Sequence, residues 1–136
     1  MEWHKDTLLI SDDPDRLDFA FIVTSLQQTY WAKDRPTDTI IESWQYSTCF
    51  GVYDGDTSIG FARAVTDYVT FSWIADVFIH PAYRGRGIAK WMMQCILEHP
   101  DIKDTKQILA TRDAHGLYEK VGFVRREMLH RNPTDQ

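Results

Sequence analysis

The chain has 136 residues, 43% of them hydrophobic, with a formal net charge of −5 at pH 7. Such a length and composition fit one globular domain spanning 1–136, with a core of ordinary size, and argue against disorder. The acidic balance argues against a general nucleic-acid surface and leaves room for a cationic substrate, while short apolar runs and an N-terminal Met1-Glu2-Trp3-His4-Lys5-Asp6 without a signal-peptide core argue against a membrane and make cytoplasmic the expected location.

In chain order, Trp3 to Ile10 reads as a first strand. Ser11-Asp12-Asp13-Pro14 reads as a helix start, with Asp13 as cap and Pro14 where its missing amide costs nothing. Phe19, Ile22, Val23, Leu26 and Tyr30 recur at helical spacing and predict a helix that Lys33-Asp34-Arg35-Pro36 breaks. Thr37 then caps a second helix carrying Ile40, Ile41 and Trp44 and ending near Ser47. Cys49 to Tyr53 and Ser58 to Thr66 flank Asp54-Gly55-Asp56-Thr57, whose Asp-Gly step signals a hairpin. A turn at Asp67-Tyr68 leads into Thr70 to Ile79 and completes a three-strand antiparallel meander.

From Ile88 onward, Trp91, Met92, Cys95 and Ile96 fall at helical spacing until His99-Pro100. Lys106 to Thr111 predicts a short strand, Asp113 a cap, Gly122 a helix end, and Phe123 to Leu129 a last strand. Elements in this order predict an α/β sandwich around a mixed sheet. Cys49 and Cys95 lack metal or redox spacing, and the histidines lack ligand pairs, so reduced thiols and no metal are expected.

Between the third meander strand and the helix after it lies Arg84-Gly85-Arg86-Gly87-Ile88-Ala89. A glycine-rich turn entering a helix start is suited to anions: free amides point outward, the macrodipole favours negative charge, and two guanidinium groups supply planar donors. A P-loop would need Lys-Ser/Thr where Ile88-Ala89 stand, and the dinucleotide fingerprint G-x-G-x-x-G fails at Lys90. The turn does match R/Q-x-x-G-x-G/A, and so resembles the coenzyme A pyrophosphate signature of the GNAT superfamily of acyl-CoA-dependent N-acetyltransferases. Val77-Phe78-Ile79-His80-Pro81-Ala82-Tyr83 resembles the usual lead-in to it. Ala114 to Phe123, with Tyr118 shortly before Gly122-Phe123, resembles the later helix of that family, and the resemblance extends over roughly Ser47 to Arg131.

That resemblance implies a mixed, mostly antiparallel sheet flanked by helices, with a splay between central strands that admits the pantetheine arm. It implies transfer of acetyl from acetyl-CoA to a primary amine by direct attack in a ternary complex, the alternative being a non-catalytic acyl-CoA-binding regulatory module. The expected cofactor contacts are Val77, Phe78 and Ile79, the turn residues Arg84, Gly85, Arg86, Gly87, Ile88, Ala89 and Lys90, and, further on, His115 and Tyr118. Tyr118 matches the family's general acid. A phenol with a pKa of about 10 is protonated at neutral pH and able to donate to the departing thiolate.

An alkylammonium with a pKa near ~10.4 costs about 4 kcal/mol to deprotonate at neutral pH, so a base is needed. Asp76 is the first candidate, being the only carboxylate in its apolar strand and expected on the face of Ile74 and Phe78. Its competing role is an ion pair with a nearby arginine. The resemblance implies an acceptor site built from the first two helices and nearby strand ends, which here offer Tyr30, Trp31 and Trp73, with Trp44 and Phe71 close by. The expected partner is a small-molecule or peptide amine, and the expected state a monomer or homodimer.

Overall fold

The computed structural model describes residues 1–133. Strand-forming runs separated by tight turns lay down a six-stranded sheet whose spatial order follows the chain order. The first hairpin joins β1 (Glu2–Lys5) to β2 (Leu8–Ser11). One strand from Trp3 to Ile10 was the expectation; instead Asp6 adopts φ 55° and turns the chain, a left-handed conformation that aspartate tolerates better than most residues. The meander follows as β3 (Thr48–Asp54), β4 (Thr57–Thr66) and β5 (Phe71–Ile79), all antiparallel. Gly55, at φ 58°, makes the β3–β4 turn. The β4–β5 turn is held by Asp67, whose carboxylate accepts from the backbone of Val69, Thr70 and Phe71.

Helices cover both faces of this sheet. On one side lie α1 (Phe19–Leu26) and α2 (Thr37–Ser43), which seat Ile22, Leu26 and Ile40 against Phe61 and Phe78. Asp18 caps α1 by accepting from the Phe21 amide at 3.1 Å, whereas Asp13 and Pro14 start only a single 3-10 turn over Pro14–Arg16. The helix stops at Leu26, short of Tyr30, because the Thr29 hydroxyl and amide both donate to the Leu26 carbonyl and close a turn there. Thr37 lies inside α2, with Pro36 in the capping position. On the other face α3 (Ile88–Glu98) packs Met92, Met93 and Ile96 against Ile10, Phe50 and Val52. The short α4 (His115–Glu119) begins after Ala114, not from an Asp113 cap, and adds Tyr118 to the same core. Among the described residues no helix is long and apolar enough to cross a membrane.

Two irregularities shape the middle of the sheet. Arg63 pairs with Ala75 but Phe61 with Phe78, so β5 holds one residue more than β4 across this span, a β-bulge in which Asp76 adopts φ 57°. The extra residue inverts the alternation: Asp76 shares the α1/α2 face with Phe78, while Ile74 belongs to the core under α3. The expected shared face with Ile74 is thereby corrected. Secondly, β6 (Lys106–Ile108) runs parallel to β5 only along Phe71–Trp73. From Ile74 to Ile79, no strand among the described residues pairs with β5 on that side, which is the splay between central strands.

The strand expected over Phe123–Leu129 does not form. Gly122 turns the chain at φ 98°, Phe123 packs edge-on against Tyr118, and the charged Arg125-Arg126-Glu127 gives the following segment no apolar face to bury, leaving Val124 and Leu129 exposed. Stability rests on the two cores, so Ile96→Ala, at a fully buried position under the sheet, should cost roughly 2–5 kcal/mol. A lower urea midpoint with an unchanged slope would show it.

Candidate active site

The splay opens into a cleft of about 1130 Å³. Its floor is the unpaired stretch of β5, including Asp76, Val77, Phe78 and Ile79, and Tyr118 of α4 stands in its wall. Tyr30, Trp31 and Trp73, expected at the acceptor site, all line it. Tyr30 and Trp31 sit in the α1–α2 loop as an edge-to-face pair 5.0 Å apart, both partly exposed. The loop that carries them is anchored by buried Ala32 and by the Gln27 amide, which donates to the Arg35 carbonyl at 3.2 Å. Trp44 instead is buried against Phe61.

At one end of the cleft lies the glycine-rich turn. Gly85 and Gly87 adopt φ 81° and 76°, and a Cβ built on either would meet nothing within 4 Å, so the positive φ and an open approach, not crowding, account for glycine here. Gly87 starts α3 without a side-chain cap, leaving the amides of Ile88, Ala89 and Lys90 ahead of the first helical bond, from Trp91 to Gly87. The Ile88 side chain is buried in the core, so at that residue only the backbone faces an anion. The Arg84 Nε donates to the Ile79 carbonyl at 3.1 Å, and the Arg86 guanidinium lies 5.0 Å from the centre of the Tyr83 ring. Among the described residues neither is in an ion pair, so both retain donors for an anion. Arg84 and Ala89 line the main cleft, and Arg86, Gly87 and Ile88 a smaller groove beside it. Gly85, Lys90 and His115 line neither.

Across from the turn, the Tyr118 ring is buried, and burial pushes its hydroxyl up to about 12, helped by Tyr30 and Asp113. It is therefore a protonated phenol at neutral pH. Of the other candidates, His80 lines the cleft, and Cys49 and Cys95 do not. His80 accepts the Ala82 amide on Nδ1 at 3.1 Å, which puts the proton of a neutral ring on Nε2. Burial pushes the Cys49 thiol to about 12 and the Cys95 thiol to about 11, so neither is a ready nucleophile.

Asp76 is the most heavily partnered group in the site. One oxygen accepts Trp31 Nε1 at 3.0 Å; the other accepts Arg35 Nη1 at 2.9 Å and Arg63 Nε at 2.7 Å. Burial alone would raise its pKa, but the Arg63 guanidinium, and then Arg35, outweigh burial and hold the carboxyl below its ordinary 3.8. A carboxylate so stabilised is a poor proton acceptor, and these contacts are those of the competing role expected for Asp76, an ion pair with arginine.

A family model described as an acetyltransferase (GNAT) domain matches residues 45–125. This chain belongs to the GNAT acetyltransferase family. A protein of Gibberella zeae described as an acetyltransferase is 31% identical over 116 residues, covering 71% of this chain and 66% of that protein. An N-acetyltransferase of Gracilaria tenuistipitata is 35% identical over 68 residues, 48% of this chain and 37% of its own length. The chain thus spans about two thirds or less of these relatives. Among solved structures, a GNAT-family acetyltransferase of Xanthomonas campestris superposes with a TM-score of 0.89 at 36% identity, covering 95% of each chain. An acetyltransferase of Clostridium acetobutylicum crystallised with acetyl-CoA shares the fold, with a TM-score of 0.66 at 18% identity over 92% of this chain and 94% of that one.

Within this GNAT fold, the glycine-rich turn and the aromatic residues of the cleft are legible in the sequence, whereas Arg35, Arg63 and Arg112, which also line the cleft, were not among the expected site residues. Arg35 had been absorbed into a helix-breaking stretch. Arg63 carried a usable signal, since a lone charged residue among the apolar Phe61, Ala62, Ala64 and Val65 of β4 needs a partner. The network predicts a stability signature. Asp76→Asn leaves two guanidinium groups facing each other and should cost about 3 kcal/mol. Because the folded carboxyl titrates below 3.8, its contribution is complete above that pH and is lost as pH falls through the folded value. Urea midpoints of the two proteins should therefore stay apart from pH 7 down to about 4 and converge below it.

Proposed function

We propose that this GNAT domain transfers an acetyl group from acetyl-CoA to a primary amine inside the β5–β6 cleft. The observation that carries the reading is the continuity of that cleft: one opening runs from Arg84 and Ala89 at the start of α3, past the unpaired edge of β5, to Tyr118. The anion turn suits the diphosphate of acetyl-CoA, and the strand edge at Val77, Phe78 and Ile79 suits an extended amide-bearing arm by backbone hydrogen bonding. Ligand sites commonly occupy about 300–1,000 Å³. At about 1130 Å³ the cleft has room for an acceptor beside the arm, which favours a transferase over a module that only senses the thioester.

In this reading the amine nitrogen attacks the thioester carbonyl carbon, forming the C–N bond while the carbonyl oxygen takes up negative charge. Backbone amides near Val77 and Phe78 stabilise that oxyanion. Collapse breaks the C–S bond, and the thiolate takes its proton from Tyr118 Oη, which burial keeps protonated at neutral pH; a phenolate of so high a pKa is at once reprotonated from water. The proton lost by the amine leaves through water, since Asp76 is committed to Arg35, Arg63 and Trp31. Asp76 acts as a positioning residue that fixes the loop bearing Tyr30 and Trp31.

A thiol-release screen of diverse amines with acetyl-CoA tests the reaction itself; no release with any amine, despite binding, would favour the sensor. Tyr118→Phe should lower kcat by roughly a hundredfold while calorimetric affinity for acetyl-CoA stays near the parent value. Arg84→Ala combined with Arg86→Ala should do the reverse, weakening acetyl-CoA binding by about tenfold or more through lost charge-assisted hydrogen bonds.

A further inference from the structure

The α1–α2 loop and the β6–α4 loop meet at the cleft through Tyr30 and Arg112. The Arg112 guanidinium lies 3.7 Å from the centre of the Tyr30 ring, and the Arg112 amide donates to Tyr30 Oη at 3.2 Å. Arg112 lines the cleft, is exposed, and among the described residues is in no ion pair. Four arginines line the cleft against two aspartates, Asp76 and Asp113. Asp76 is already shared between Arg35 and Arg63. Arg84 stands at the far end beside the anion turn. The acceptor half therefore holds more positive than negative charge, although the whole chain is acidic.

We infer that the acceptor amine carries an anionic group, a carboxylate or a phosphate, received by Arg112 at the mouth of the cleft. The inference deepens the acetyl-transfer reading and rests on it. Stacking on Tyr30 holds the guanidinium plane in place before an acceptor arrives, so little freedom is lost when its planar fork meets two oxygens. The same ring reaches towards the reaction centre: Tyr30 packs edge-on against Trp31 at 5.0 Å and is close enough to Tyr118 to influence its hydroxyl. An acceptor held by its anion at Arg112 would extend its amine along the Tyr30–Trp31 wall towards Tyr118. A polyamine offers no group for Arg112 and meets the surplus of guanidinium charge unpaired.

Thiol release from acetyl-CoA, measured with matched amines, tests this. The set is phenylalanine with phenylalaninamide, O-phosphoethanolamine with ethanolamine, and spermidine, each with the parent protein, Arg112→Ala and Arg112→Glu, alongside acetyl-CoA affinity by calorimetry. The parent should use the anionic member of at least one pair with about tenfold or higher kcat/KM, the value expected of one charge-assisted contact, and the pair that responds distinguishes carboxylate from phosphate. Arg112→Ala should erase that preference mainly through KM, and Arg112→Glu should invert it, with acetyl-CoA affinity unchanged in both. Equal use of the neutral members, best use of spermidine, a preference that survives Arg112→Ala, or no release from any of the five would overturn the assignment. A fall in acetyl-CoA affinity in Arg112→Ala would also overturn it by giving Arg112 to the acyl donor. Absence of acetyl-CoA binding by the parent protein would instead sink the acetyl-transfer reading beneath it.

Discussion

A buried carboxylate inside a β-bulge holds the working half of this protein together. Asp76 has a side chain only 2% exposed, yet it binds an indole from the α1–α2 loop, a guanidinium from the same loop and a guanidinium from β4. An isolated charge at that depth would be expelled or neutralised, and a lone pair of arginines would repel each other. Together they are mutually required. The bulge is what makes the meeting possible, because regular alternation would have placed residue 76 under α3 among methionines and isoleucines. The backbone at φ 57° is the strain accepted for that placement, and it persists because three partners over-determine the carboxylate's position.

Fixing Asp76 fixes the cleft. Its partners Trp31 and Arg35 belong to a loop with no regular secondary structure of its own, and Tyr30, next in the chain, contributes both to the aromatic wall and to the contact with Arg112. On the opposite face the geometry is set by dry packing: α3 is pinned through Met92, Met93 and Ile96, and the amides at its start face outward because Ile88 turns its side chain into the core. One side of the cleft is thus positioned by electrostatics and the other by hydrophobic packing. The gap between them exists because β6 pairs with only three residues of β5 before the strands part.

What could be read from the sequence follows from the range of the signals. The Asp54-Gly55 hairpin, the periodic face of α3 and the Arg84–Ala89 turn are each encoded within a dozen neighbouring residues, and all formed where expected. Asp76 meets Arg63, Arg35 and Trp31 at separations of 13, 41 and 45 residues, and no local pattern specifies which long-range partner a buried charge will take. The end of α1 was misplaced because a threonine hydroxyl competing for a helical carbonyl outweighed the helical spacing of Tyr30. Phe123–Leu129 failed as a strand for a related reason. Its residues favour extension, but β-propensity expresses packing against neighbours, and three consecutive charged residues leave nothing to pack.

Charge shows most clearly why composition is a poor guide to a site. A formal net charge of −5 leaves room for a cationic partner, yet the arginines Arg35, Arg63, Arg84 and Arg112 converge on one cleft. At physiological ionic strength exposed charges are screened over about 8 Å, so a ligand in the cleft responds to the groups lining it far more than to the distant acidic surface. Of the two aspartates among the described residues lining the cleft, the buried one, Asp76, is already paired with two guanidinium groups. The field inside the cleft is therefore positive, opposite in sign to the molecule as a whole, and under the proposed acetyl transfer it would be this local field that discriminates among acceptors of similar size.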